Sequence, residues 1–283
     1  MKTVVITGSE GKLGRYVVKE FAEHGYRIIG SDMRAASSLE DYYQFRQLNL
    51  NNIEEVNQLL TGADYVVHLA AVPNPISFSP EYIFSNNVMS TFNILEAASN
   101  LKIPKVVIGS SESAYGFCWA KTPFSPNYFP VDEQHPLLPQ EGYGLSKGVN
   151  EQTGDMFNRR SGLGVYSLRF SHVLEPHEYE WLKSEFDNTG RFHRILWSYI
   201  DARDAAIACR MSIEDSKPSQ SIAMNITAND MMSDKSVEQL LNAHYSDVKD
   251  IRKPTADMTA VVSNRLAYET IGWSPQYSWK QSE

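Results

Sequence analysis

A chain of 283 residues with 42% hydrophobic and 21% charged side chains is long enough to bury a sizeable core, and its composition is not that of a disordered or fibrous protein. The net charge of -8 argues against a broad electrostatic footprint for nucleic acid or an anionic membrane, so a bound phosphate would have to be held in a local pocket. Cys118 and Cys209 stand far apart in no CxxC pattern, which gives a metal site or a disulfide framework no support.

The amino terminus reads MKTVVITGSEG, and its apolar run stops at Gly8, short of a signal peptide's apolar region. No later segment reaches the roughly 18 apolar residues that a spanning helix needs, so the expected location is the cytoplasm. The first strand, Thr3 to Thr7, runs straight into TGSEGKLG and a helix from Lys12 to His24. Glycines at 8, 11 and 14 allow a tight turn and a close backbone approach to a pyrophosphate, and the helix start adds unpaired N–H donors. Gly8, Gly11, Lys12, Leu13 and Gly14 are therefore the expected phosphate cradle. The strand before and the helix after separate this match from an ordinary flexible turn.

The second strand, Arg27 to Ser31, leads to Asp32, 18 residues beyond Gly14. A carboxylate there can accept hydrogen bonds from ribose hydroxyls and repels a 2'-phosphate, which favours NAD over NADP. Arg34 pulls the other way, because guanidinium is the usual partner of that phosphate. A plain turn acid is the competing reading of Asp32. Further strands are predicted over Tyr65 to Ala70, Lys105 to Ser110 and Val165 to Phe170, with helices over Ile53 to Leu60, Glu81 to Asn100 and Tyr143 to Arg160. The strands are almost continuously apolar, as strands covered on both faces are. The alternation predicts an α/β fold with a doubly wound parallel sheet.

Residues 117–142, rich in proline and aromatics, are too long for an idle connection and are expected to act as a lid or substrate-facing loop. The pattern turns polar and aromatic after Phe170 and irregular again after Thr227. The expected organisation is a dinucleotide-binding domain over 1–170, to which 197–227 returns, and a substrate lobe from 171–196 and 228–283.

YGLSK places Tyr143 and Lys147 at i and i+4, hence on one helix face. A phenol is a poor base at neutral pH, and a neighbouring ammonium stabilises its phenolate, so Tyr143 can exchange a proton with a hydroxyl while a nicotinamide handles hydride. Ser111, just past a strand, can orient the same oxygen. A bare YxxxK pair is common on solvent-facing helices; the upstream serine and the glycine turn make the combination specific. Glu112, Ser113 and Arg169 are candidates for substrate contact, with loop packing or a carboxylate partner as the alternatives. Arg191, His193 and Arg194 could as well form a solvated face. His68 is read as a satisfied core histidine.

TGSEGKLG, Asp32, DYVVHLAA (64–71), NVMSTFNILEAA (87–98), SSESAYG (110–116), YGLSK, SLRFSHVLEP, YIDARDAA and SNRLAYETIGWSPQYSW together resemble an extended short-chain dehydrogenase/reductase of the NAD-dependent epimerase/dehydratase family. The resemblance implies a Rossmann domain with a small carboxyl-terminal lobe. It implies Ser111, Tyr143 and Lys147 as the catalytic set, Ala70 and Ala71 in the cofactor groove, and a homodimer through the helices from Glu81 and Tyr143. Two departures stand out. Asn49 and Leu50 occupy the place of an Asp followed by an apolar residue, where the Asn oxygen could still meet the adenine amino group. Ser111, Glu112 and Ser113 replace the Thr-Asp-Glu run of dehydratases, which disfavours dehydration.

Uronate dehydrogenases are similar in length and in the spacing from the serine pair to YGLSK, but they tend to carry Asn and His where Glu112 and Ser113 stand here, and Ser in place of Pro73. The expected function is therefore NAD-dependent oxidation or reduction of a sugar or sugar acid, with a nucleotide-sugar epimerase as the alternative and a non-catalytic dinucleotide sensor as a third reading. The 113 residues after Phe170 leave little chain for gripping a nucleotide diphosphate.

Overall fold

The computed structural model describes residues 1–36 and 43–281. In chain order the elements are β1 (Thr3–Thr7), α1 (Lys12–Glu23), β2 (Arg27–Asp32), β3 (Tyr43–Gln47), α2 (Ile53–Leu60), β4 (Tyr65–His68), α3 (Pro80–Asn100), β5 (Lys105–Ser111), α4 (Gly142–Ser161), β6 (Gly164–Phe170), β7 (His172–Leu174), α5 (Tyr179–Ser184), β8 (Tyr199–Asp201), α6 (Ala202–Glu214), β9 (Ser221–Ile226), α7 (Val237–His244) and α8 (Arg265–Ile271). Helix starts follow local chemistry. Asn52 caps α2 by accepting from the N–H groups of Glu54 and Glu55, and Ser79 caps α3 ahead of Pro80 at its first position.

Seven parallel strands form one sheet in the order β3-β2-β1-β4-β5-β6-β9, the doubly wound arrangement expected from the sequence. Their apolar runs divide by the two-residue period of a strand. Val4 and Ile6 join Val17 and Phe21 of α1 on one face, whereas Val5 joins Val66, Ile94 and Leu95 on the other. The order reverses between β1 and β4, so a crevice opens at their carboxyl ends, where a doubly wound sheet binds its ligand.

A second core forms beside that crevice. Phe117, Phe129 and Val131 of the long loop pack with Leu182, Trp197, Tyr199, Met231 and Leu240. The strand predicted to Ala70 ends at His68, and Leu69, Ala70 and Ala71 turn out along the crevice instead. The division of the chain also differs from the expectation in two ways. β7 and β8 pair with each other across the expected boundary at 197. Ala267 and Trp273 belong to the core of the sheet, and the Trp273 indole N–H donates to the Asp204 carbonyl, so the last helix leaves the substrate lobe.

Candidate active site

The glycine turn is shaped by close packing. Gly8 sits at φ +70°, and a Cβ there would fall 2.7 Å from the Ala70 nitrogen; a Cβ on Gly14 would fall 2.0 Å from the Gly8 oxygen. Gly11 caps α1 without a side chain, and the first turn carries no acid, so its N–H donors are left for an anion. Gly8, Gly11, Lys12, Leu13 and Gly14 all line one cavity. Asp32 is held by the N–H of Glu10 (3.1 Å) and the N–H of Arg34 (3.0 Å). The Arg34 guanidinium lies outside it, 3.5 Å away, with 66% of its side chain exposed against 11% for Asp32. Asn49 and Leu50 line the same cavity; the Asn49 side-chain oxygen accepts from the N–H of Asn51 at 3.0 Å, and Asn93 donates to the Leu50 carbonyl at 2.9 Å. This donor set fits a dinucleotide.

Ser111 ends β5, and its hydroxyl accepts from the N–H of Ser113 at 3.1 Å, capping a short helical turn over 112–115. Tyr143 and Lys147 occupy the first turns of α4, whose end is tied by Glu141 accepting from the N–H groups of Tyr143 (2.6 Å) and Gly144 (2.7 Å). The predicted trio therefore meets in one place. Burial pushes the Tyr143 phenol above its usual pKa, against a hydrogen bond with Ser111 that lowers it. Lys147 donates to the Gly109 carbonyl at 2.6 Å and lies 5.5 Å from the centroid of the Tyr143 ring. Desolvation pulls its pKa down to about 8, with Glu151 opposing. With no ligand bound, burial thus favours the neutral phenol of Tyr143, the form that the Lys147 ammonium is expected to help convert to phenolate.

Arg169 is also reassigned. It lies within β6, 5% exposed, and grips Glu151 of α4 through Nε (2.9 Å) and Nη2 (2.7 Å). Glu151 also accepts from Ser110 at 2.6 Å, and Arg169 donates to the Tyr115 hydroxyl at 3.0 Å. The network fixes α4 against β5 and β6 one turn below Lys147, and Arg169 does not line the cavity. His68 is satisfied between Thr7 (2.7 Å) and Thr91 (3.1 Å), and burial lowers its pKa to about 3, so it stays neutral as read. Asn87, inside a motif the sequence singled out but to which it assigned no role, donates to the Val72 carbonyl (3.0 Å) and accepts from the Val72 N–H (2.8 Å), clamping the chain that leaves β4.

The cavity is about 850 Å³ and runs from the glycine turn and Asp32 to Ser111, Tyr143 and Lys147. Ala70 and Ala71 line it, as the resemblance implied, and Glu112 and Ser113 line its far end. Cys118, Trp119 and Ile195 lie there too, which sequence reasoning missed as individuals; the signal for the first two was the length of the loop from Phe117, and for Ile195 its place in the expected substrate lobe. Burial pushes the Cys118 thiol up to about 12, and it donates to Ser113 at 3.1 Å. Glu112 accepts from Ser198, Ser171 and the His172 N–H, yet burial holds its carboxyl up at about 8.

A model of the NAD dependent epimerase/dehydratase family matches residues 4–227. The chain is similar to the L-arabinose 1-dehydrogenase (NAD(P)(+)) of Haloferax volcanii, at 27% identity over 236 residues covering 81% of this chain and 90% of that one. It is 33% identical to a putative UDP-glucose 4-epimerase of Methanocaldococcus jannaschii over 180 residues, 60% of this chain and 55% of the relative. A solved structure of a mutated uronate dehydrogenase shares the fold with a TM-score of 0.73 at 17% identity, over 99% of this chain and 83% of that one. The family match spans most of the chain, including the glycine turn and the Ser111, Tyr143 and Lys147 cluster, and this protein belongs to the NAD dependent epimerase/dehydratase family.

Proposed function

We propose that the protein is a cytoplasmic NAD-dependent oxidoreductase that moves hydride between the nicotinamide and a hydroxyl or carbonyl group of a sugar or sugar acid, with Tyr143 as the acid/base. The observation that carries this reading is the single cavity that joins the dinucleotide cradle to Ser111, Tyr143 and Lys147.

Gly8, Gly11, Lys12, Leu13 and Gly14 would hold the pyrophosphate, Asp32 the ribose, and Asn49 and Leu50 the adenine, with Ala70 and Ala71 along the groove. When bound, NAD supplies the hydride acceptor and a positive charge beside the reacting centre. Ser111 orients the substrate oxygen. Tyr143, a neutral phenol in the buried site, gives its proton to that oxygen in reduction and, once its phenolate is stabilised, takes it back in oxidation. Lys147 supplies the local positive charge and is held in place by Gly109. Asp32, fixed by two backbone N–H groups, supports NAD over NADP.

The epimerase reading draws on the similarity to the archaeal relative. Our preference for the free sugar draws on the chain after Phe170, where α6, β9 and α8 all return to the sheet. The test is cofactor reduction across a panel of free sugars, sugar acids and nucleotide sugars. NADH formed with a free sugar or sugar acid is expected; interconversion of nucleotide sugars with no net reduction contradicts the proposal.

A further inference from the structure

The charges around the cavity are unevenly placed. Among the described residues that line it, the lysines and arginines are Lys12, Arg34 and Lys147. Lys12 stands at the glycine turn, where it pairs with Glu178 and donates to the Val173 carbonyl at 2.9 Å. Arg34 stands beside Asp32. Lys147 is turned to the Gly109 carbonyl beneath Tyr143. His172 also lines the cavity, and burial, followed by the nearby Lys12, lowers its pKa, so it is neutral at pH 7. The end beyond Ser111 and Tyr143 is instead walled by Glu112, Ser113, Cys118, Trp119 and Ile195. An acid, a hydroxyl, a thiol and two apolar surfaces would meet a substrate there, with no cation on that wall among the described residues.

A carboxylate brought into such a place loses its water and finds no counter-charge, whereas neutral hydroxyls exchange water for protein donors and acceptors at little cost. Glu112 suits the second case. Its carboxyl is anchored by Ser198, Ser171 and the His172 N–H and keeps surface on the cavity; below about pH 8 it carries a proton, so it can both give and accept a hydrogen bond. Trp119 offers a flat apolar face to the C–H side of a sugar ring.

We propose that the substrate end is built for an uncharged sugar, whose hydroxyls Glu112 reads and whose carbon face Trp119 covers, and that it rejects the matching sugar acid. The inference rests on the oxidoreductase reading and narrows it. The carbinol being oxidised would lose its C–H hydride to the nicotinamide and its O–H proton to the Tyr143 phenolate, which becomes the phenol, and the carbinol becomes a carbonyl. Among the described residues, Arg194 stands close enough to oppose the inference: it shares a small recess with Glu112, Cys118 and Ile195, and its guanidinium donates to the Ala120 carbonyl at 3.5 Å.

The experiment uses the full chain with NAD and compares matched pairs, D-galactose with D-galacturonate and D-glucose with D-glucuronate, together with L-arabinose. We expect kcat/KM for an aldose to exceed that of its acid by about 100-fold or more, the cost of an unpaired, desolvated carboxylate. Glu112→Ala should raise the KM of the best aldose by about tenfold while kcat and NAD affinity stay within about threefold. Glu112→Gln, which keeps the shape and both hydrogen-bonding roles, should lie closer to the parent; thermal melting and NAD titration of both variants show that they are folded. Equal or better turnover of the sugar acids overturns the proposal, and loss of that turnover in Arg194→Ala would assign the missing cation to Arg194. An unchanged aldose KM in Glu112→Ala overturns the role of Glu112. If no sugar or sugar acid yields NADH while UDP-glucose and UDP-galactose interconvert, the oxidoreductase reading itself fails and takes the inference with it.

Discussion

In the proposed reaction Tyr143 concentrates the chemistry of the site in one oxygen. Its phenol is buried, bonded to Ser111 and raised above its usual pKa, so removing it deletes proton transfer and little else. Tyr143→Phe should lower turnover on the order of 10²- to 10⁴-fold while melting temperature and NAD affinity hold; full activity would refute the assignment. Asp32 and Arg34 set a second test. Fluorescence titration should show tighter binding of NAD than of NADP, and Asp32→Ala should erode that preference by about tenfold. NADP bound as tightly in the parent would make Arg34, most of whose side chain is exposed, the deciding group. At this scale the sequence was legible where the chemistry is local. Gly8, Gly11 and Gly14 lie within one turn, and Tyr143 and Lys147 are four residues apart. Lys147's bond to Gly109 and Arg169's grip on Glu151 join residues 38 and 18 positions apart, and no spacing rule reaches that far.

Helix α4 shows how an element carries the site. It is capped by Glu141, pinned near its start by the bond from its Lys147 to the Gly109 carbonyl of β5, and locked one turn later by Glu151, which receives Ser110 from β5 and Arg169 from β6. Both members of the Arg169 and Glu151 pair are under 10% exposed, so truncating one leaves the other charged and dry. Arg169→Met should destabilise the fold by about 3–5 kcal/mol, read from urea denaturation, and lower activity through the misplaced helix. A loss below about 1 kcal/mol would show that water reaches the carboxylate. Elements with continuous apolar runs, β1, β2, β5 and β6, were readable at once because both faces are covered. The edge strand β9 was not: Ser221, Ile222 and Ala223 are only partly buried and break the run, and β7 and β8 have just three residues each.

At the scale of the whole molecule, a large sheet core stands beside a second, smaller core. Part of the expected lobe, α8 and Trp273, proved to be core of the sheet, because a tryptophan buried against α6 is more valuable there than any local pattern reveals. A homodimer through α3 and α4 is the expected assembly. Phe92 and Met156 are turned to the sheet's core, whereas Tyr82, Met89 and Leu145 remain 43%, 46% and 46% exposed and could serve the interface. Light scattering at micromolar concentration should give twice the chain mass, and a monomer would remove this assembly. No helix is long and apolar enough to cross a membrane, among the described residues.

The central claim is net redox chemistry on a free sugar, and the bound state of the cofactor tests it most directly. Protein purified without added cofactor, then mixed with NAD and the best substrate of the panel, should start largely empty and accumulate NADH absorbance in step with sugar consumed. Tightly retained NAD in the purified protein, no net NADH, and interconversion of nucleotide-sugar epimers would contradict it.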